Sequence, residues 1–160
     1  MAYARAVEIF NLFGDEWNET TDHEGFAFKD SWVGAGIGAE LIGGSLYEVA
    51  PGKKLWPYHT HHANEEWAIV LRGEPTLRTH EGEQQLRQGD VVAFPRGKEG
   101  AHQIRNDTDA PIRVLMLSTT TAPDIVEYLD TGKVGARSVA GDRILFARPG
   151  PELEYWEGED

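Results

Sequence analysis

The chain has 160 residues, 40 % of them apolar and 26 % charged, which suits one globular domain with a core of ordinary size. Fifteen basic against 27 acidic residues leave a net charge of −12, which disfavours nucleic-acid backbones and anionic membrane surfaces as partners. Cysteine is absent, so disulfides, thiolate metal sites and cysteine nucleophiles are excluded together. No apolar run approaches the roughly 18 residues of a membrane span. The N-terminus MAYARAVEIFNLF has Glu8 inside its short apolar stretch and no small-residue cleavage site after it, so a cytoplasmic protein is expected.

In chain order, residues 1–40 read as an N-terminal arm that lays Val7, Ile9, Phe10, Leu12, Phe13 and Trp17 onto a core. From Leu41 the pattern changes. Short apolar runs (LIGGSLYEVA, EEWAIVLRG, PTLRTH, QQLRQGDVVAFP, AHQIRN, PIRVLMLST) recur between Gly, Pro, Asn and Asp. Such spacing predicts an all-β fold, an antiparallel sandwich or barrel. Glu81-Gly82 predicts a hairpin between Thr76–His80 and Glu83–Leu86, and prolines 51, 57, 95 and 111 fall where strands end. The one helix expected is short, Pro123–Leu129, closed by Gly132. The organisation expected is a single domain over 1–160: the arm, a barrel core at 41–118 and a C-terminal extension at 119–160. The acidic tail PELEYWEGED either frays or lies on the barrel through Tyr155 and Trp156.

The histidines carry the chemistry. His59 and His61 are two apart, so on a strand both imidazoles face one way. Glu66 follows beyond a turn at Ala63-Asn64, and the next strand returns its carboxylate beside the two rings. After the strand ending at Pro95 and a glycine-bearing loop, His102 supplies a third nitrogen. Three neutral nitrogens and one anionic oxygen on rigid strands suit one divalent transition ion; iron, manganese, nickel and zinc all fit. His62 has the opposite strand parity and Glu65 competes with Glu66, which places both beside the site rather than on the ion. Ala68 and Val70 share Glu66's parity and Ile104 shares that of His102, so all three are expected to line the cavity. Trp56, Tyr58 and Trp67 alternate against the ligands and read as packing residues. His80 and His23 read as exposed turn residues. Gly34-Ala-Gly36-Ile-Gly-Ala39 satisfies a loose dinucleotide pattern but lacks the flanking strand and helix, and Thr131-Gly132-Lys133 reads as a turn.

These two segments resemble the motifs of the cupins. In the first, His59, His61, Glu66 and Gly73 match G-x5-H-x-H-x3,4-E-x6-G, with Gly52 one residue further out. In the second, Gly89, Pro95, Gly97, His102 and Asn106 match G-x5-P-x-G-x2-H-x3-N, with a loop of four residues rather than two before His102. The resemblance covers residues 41–118 and implies a double-stranded β-helix, a jelly-roll barrel with the metal inside. The whole chain is similar to small bacterial cupins loosely described as mannose-6-phosphate-isomerase-like, an analogy of fold. Because cupin barrels commonly pair, and the segments outside the core exceed what one barrel needs, a homodimer is expected.

Such a ligand set leaves adjacent positions on the ion for water, dioxygen or a chelating small molecule. The leading reading is a metal-dependent enzyme on a small organic substrate, by dioxygenase-like or other metal-assisted chemistry. A sugar-phosphate isomerase or epimerase is the alternative. It wants a general base, for which only Tyr47, Glu48 and Glu65 offer themselves, and an inward Arg or Lys cluster, for which Arg72, Arg78, Arg96 and Arg105 exist. A non-catalytic metabolite-binding module and a metal that merely staples the barrel remain as further readings. No catalytic residue is assigned.

Overall fold

The computed structural model describes residues 8–159, so Val7 of the arm lies outside the described residues. Antiparallel strands build it throughout. In chain order they are β1 (Glu19–His23), β2 (Phe26–Ser31), β3 (Ile42–Val49), β4 (His59–His61), β5 (Glu66–Arg72), β6 (Thr76–Thr79) and β7 (Gly82–Gln85). There follow β8 (Val91–Phe94), β9 (Gln103–Arg105), β10 (Ile112–Thr119), β11 (Asp124–Tyr128), β12 (Lys133–Arg137) and β13 (Arg143–Ala147). A six-stranded sheet runs β1-β2-β3-β10-β5-β8, a four-stranded sheet β13-β12-β11-β4 and a three-stranded sheet β7-β6-β9. This is the all-β fold that the strand spacing predicts, with the double-stranded β-helix architecture that the resemblance implies.

Along β5 burial alternates, whereas β10 starts with four consecutive buried residues because both faces of the sheet are covered. Val49, Ala68, Val70, Ile112 and Val114, each 0–1 % exposed, point inward with Phe28, Leu55, Leu77, Phe94 and Ile104. Full burial of each Val or Ile side chain stabilises the fold by about 1.5–3 kcal/mol. The other face of the same sheet is apolar too: Leu46, Ile69, Leu71, Leu115 and Leu117 pack with Val33, Phe10, Leu12 and Trp17. That second layer explains why residues 114–117 of β10 read as an unbroken apolar run.

The N-terminal segment is therefore more than an arm, since β1 and β2 extend the main sheet. Its earlier part is fastened by Arg113, which is 2 % exposed. The guanidinium donates to the carbonyls of Leu12 (3.2 Å) and Gly14 (2.8 Å) and to Asp15 (3.0 Å) and Glu48 (2.8 Å). Its plane also lies 4.9 Å from the Trp17 ring centre.

The expected helix at Pro123–Leu129 is absent, and β11 occupies the segment. Seven residues make a marginal helix. As a strand, the same residues pair with β4 (Val126 opposite His61) and with β12, satisfying β4's backbone on the side that faces β11. Val126 turns inward, Ile125 is 47 % exposed, and Asp124 accepts the Ala63 amide at 2.9 Å. Tyr155 and Trp156 of the tail stack edge-on against each other, 4.7 Å between ring centres, and stay exposed.

Two glycines hold the ligand-bearing loops. Gly73 has φ +81°, and a Cβ there would stand 2.7 Å from Ile112 Cγ2. At Gly100 a Cβ would fall 1.7 Å from the Pro95 carbonyl oxygen, so the chain turns there only without a side chain.

Candidate metal centre

His59 and His61 project from β4 on one face, while Thr60, fully buried, points the other way and donates its hydroxyl to the Gly97 carbonyl. The Gly97 amide returns a bond to the His61 carbonyl at 2.7 Å, fastening the second-motif loop to β4. The lengthened loop contains a 3-10 turn, Lys98–Gly100, which delivers His102 directly opposite His59. The two histidines exchange backbone bonds of 3.2 and 2.9 Å, the geometry of a hydrogen-bonded antiparallel pair. Glu66 opens β5 and pairs with Phe94 of β8, whose ring stacks on His102 at 3.8 Å and 8°.

One ligand-type atom from each of His59, His61 and Glu66 lies within 4.8 Å of the other two. His102 Nε2 is 3.4 Å from Glu66 Oε2, and His61 Nε2 is 3.6 Å from the same oxygen. Every Nδ1 in the cluster is tied to an acceptor: His59 to the Pro57 carbonyl (2.8 Å), His102 to the Gly100 carbonyl (2.9 Å), His61 to Asp124 (2.6 Å). Carbonyl and carboxylate oxygens only accept, so each Nδ1 carries the proton and each Nε2 keeps its lone pair. Glu66 Oε2 is buried with no hydrogen-bond partner. Lone pairs of imidazoles thus face the lone pairs of a buried, orphaned carboxylate oxygen. Such an arrangement repels itself unless a cation sits among the atoms, and the donor set fits a divalent transition ion.

The electrostatics agree. Burial, reinforced by the neighbouring imidazole of His61, pushes His59 down to about 4. Burial, with His59 beside it, pushes His102 down to about 3. Both rings are therefore neutral at neutral pH, the form that ligates. Burial raises the Glu66 carboxyl, against the pull of His61. Burial would also raise Asp124, but the bonds from His61 and the Ala63 amide hold it below its ordinary value. Asp124 is thus an anion that fixes the tautomer of His61, as the outer partners of metal-bound histidines do.

A cavity of about 480 Å³ opens over the cluster. Tyr47, Trp56 and Tyr128 form its aromatic wall, Met116 and Val126 add apolar surface, and Arg137 and Ser138 reach it from the β12 end. The residues expected to line it, Ala68, Val70 and Ile104, lie in the apolar core beneath instead. Strand parity turns them inward, but the cavity sits at the β4–β11 end of the barrel, beyond their reach. Trp56 corrects the reading from alternation: residues 54–58 are not a strand, so parity does not hold there. Tyr58 does pack, buried beneath Arg78 with the guanidinium 4.1 Å from its ring centre, and Trp67 stays on the outer surface, 44 % exposed. His62 is exposed and paired with Glu127 at 2.7 Å, and Glu65, also exposed, accepts the Trp67 indole at 2.9 Å. His80 and His23 are exposed as expected, although His23 ends β1 rather than sitting in a turn. Of the candidate bases, Glu48 lies on the far face of the sheet, bound to Arg113, Arg72 and Lys29; Tyr47 alone faces the cavity. Asp124, Tyr128 and Arg137, which complete the site, stand some 60 residues or more beyond His61, with no motif to mark them.

A jelly-roll barrel with this histidine–carboxylate cluster at the floor of a cavity defines the class: a double-stranded β-helix with a metal-type ligand set. Residues 45–118 match the cupin domain family, and the chain is a small cupin-domain protein. No curated protein matches it in sequence. Among solved structures it is similar to a sugar phosphate isomerase of the cupin superfamily from Silicibacter pomeroyi: TM-score 0.77, 26 % identity, 92 % of this chain and 97 % of that one covered. A proposed sugar phosphate isomerase from Acidithiobacillus ferrooxidans aligns with TM-score 0.73 and 28 % identity over 81 % of this chain and 83 % of that one. A cupin 2 conserved barrel domain protein from Salinispora arenicola gives TM-score 0.57 and 26 % identity, covering 74 % and 92 %. No helix among the described residues is long and apolar enough to cross a membrane.

Proposed function

We propose that the protein is a metal-dependent enzyme acting on a small organic molecule, with His59, His61, Glu66 and His102 as the ligands of one divalent ion of iron, manganese, nickel or zinc. The observation that carries this reading is the orphaned Glu66 oxygen facing imidazole lone pairs at the floor of a cavity of ligand size. When bound, the ion supplies Lewis acidity and open positions for a chelating substrate or dioxygen. The chain's own residues do the rest. Asp124 holds the His61 proton on Nδ1, away from the ligating atom. Tyr47, Trp56 and Tyr128 shield one side of a bound molecule from water. Burial raises the Tyr47 phenol, which keeps its proton at neutral pH and serves as a donor to a developing oxyanion rather than as a base.

Two chemistries fit this frame. Dioxygenase-like or other metal-assisted chemistry asks for no separate base, and outside the ligands the one carboxylate lining the cavity, Asp124, is committed to His61 and Ala63. Sugar-phosphate isomerisation is favoured by the two neighbours described as sugar phosphate isomerases. A cytoplasmic, homodimeric protein belongs to the same proposal, and light scattering tests the assembly. The deciding experiment loads the protein with each ion in turn. Oxygen uptake is measured on catechols, diketones and flavonols, and aldose–ketose conversion on sugar phosphates. Turnover in the first set alone supports the oxidative branch; turnover in the second alone supports the isomerase. Ligand binding that survives complete loss of metal in His61→Ala contradicts both and supports a binding module.

A further inference from the structure

The cavity over the histidine cluster has one guanidinium on its lining, Arg137 at the end of β12. The arginines elsewhere are largely spoken for: Arg72 and Arg113 by Glu48, Arg78 by Asp130, Arg105 by Glu83 and Asp107. Arg137 has no carboxylate within 4.0 Å among the described residues. Its cross-strand neighbour is Asp124, but that carboxylate is already bonded to His61 and to the Ala63 amide. Beside Arg137, the Ser138 Oγ accepts the Ala140 amide at 3.1 Å and keeps its own hydroxyl proton to donate. The chain as a whole carries −12 and repels anions. A carboxylate-free guanidinium on the exposed lining of the cavity, next to a spare hydroxyl, is thus a local reversal of the protein's field.

We propose that the cavity selects a small organic anion, its phosphate or carboxylate group held by Arg137 with Ser138 and its uncharged oxygens turned towards the histidine–glutamate cluster. The aromatic wall of Tyr47, Trp56 and Tyr128 between these two poles suits the C–H faces of a compact, hydroxylated or weakly apolar body. This rests on the metal-site reading for the role of the second pole, whereas the Arg137 pole stands on its own residues. Arg137 sets specificity by binding and takes no part in ligating the ion.

The test is calorimetric titration of the metal-loaded protein with glucose 6-phosphate, gluconate and glucose. At least one anion is expected to bind about ten- to a hundred-fold more tightly than glucose, the range of a charge-assisted hydrogen-bonded contact. Arg137→Ala is expected to erase that difference with metal content and melting temperature unchanged, and Arg137→Lys to restore part of it. Preference for glucose 6-phosphate over gluconate assigns a phosphate group, and the reverse a carboxylate. Equal affinity for glucose and both anions, no saturable binding of either anion, or discrimination that survives Arg137→Ala overturns the proposal. His61→Ala separates the two readings: loss of metal with retained Arg137-dependent anion binding leaves this inference standing and removes only the role of the cluster.

Discussion

Replacing Asp124 with Asn removes one proton acceptor and little volume. In the native site Asp124 Oδ2 takes the Nδ1 proton of His61 at 2.6 Å, and its other oxygen takes the Ala63 amide at 2.9 Å. An asparagine can keep the Ala63 bond through its carbonyl, but then presents an NH2 group to His61. To satisfy that donor, the imidazole must carry its lone pair on Nδ1 and its proton on Nε2, the atom that lies 3.6 Å from Glu66 and faces the cluster. The variant therefore loses a ligand by tautomer, with the ring still in place. Loss of such an outer partner costs about 10- to 100-fold in metal affinity, or about 1.4–2.8 kcal/mol. Competition with a chromophoric chelator measures the affinity, and circular dichroism with thermal melting checks that the barrel is intact. A folded Asp124→Asn protein that binds zinc or manganese as tightly as the wild type refutes the tautomer argument.

Glu66→Gln is expected to raise the melting temperature of the metal-free protein, because it removes the charge of a carboxylate whose buried Oε2 has no hydrogen-bond partner, and to abolish the stabilisation that added metal gives. For pH, His59 and His102 have folded values of about 4 and about 3, below the ordinary 6.5. Below about 6.5 the unfolded state binds the protons first, so metal-free stability falls as pH drops from there towards the folded values. Denaturant titrations at about pH 7 and about pH 5 should differ by on the order of 2 kcal/mol for each ring, and a flat profile would show the rings to be solvated. Arg113→Met should cost about 3 kcal/mol and open the chain before Trp17 to limited proteolysis, since the guanidinium holds Leu12, Gly14 and Asp15 at once. Unchanged protease resistance would mean that the apolar layer holds the segment without it.

His59, His61 and Glu66 are legible in the sequence because a strand's two-residue period fixes which side chains share a face, and the turn at Ala63-Asn64 fixes the return. His102 is legible because glycine and proline bracket its loop, even with two residues more than the motif has. Parity fails where strands stop. Trp56 precedes β4 and escapes alternation, so an aromatic read as packing turns out to line the cavity. Ala68, Val70 and Ile104 do face inward, but depth along the barrel axis, which no periodicity encodes, puts them in the core. Asp124 sits in a segment whose local pattern suits a short helix; its strand state comes from pairing with β4, some 60 residues earlier in the chain. Arg137 depends on that same pairing, one strand further on. The residues that complete the site are thus the ones whose placement is wholly a matter of long-range register.

Metal content decides the matter most directly. Protein purified without added ions, then titrated with iron(II), manganese(II), nickel(II) and zinc(II), should take up one ion per chain, with X-ray absorption showing nitrogen and oxygen neighbours from three imidazoles and one carboxylate. His61→Ala should lower that uptake steeply. A wild-type barrel that takes none of the four ions stoichiometrically, or takes one equally well without His61 and Glu66, contradicts the assignment of these side chains as ligands.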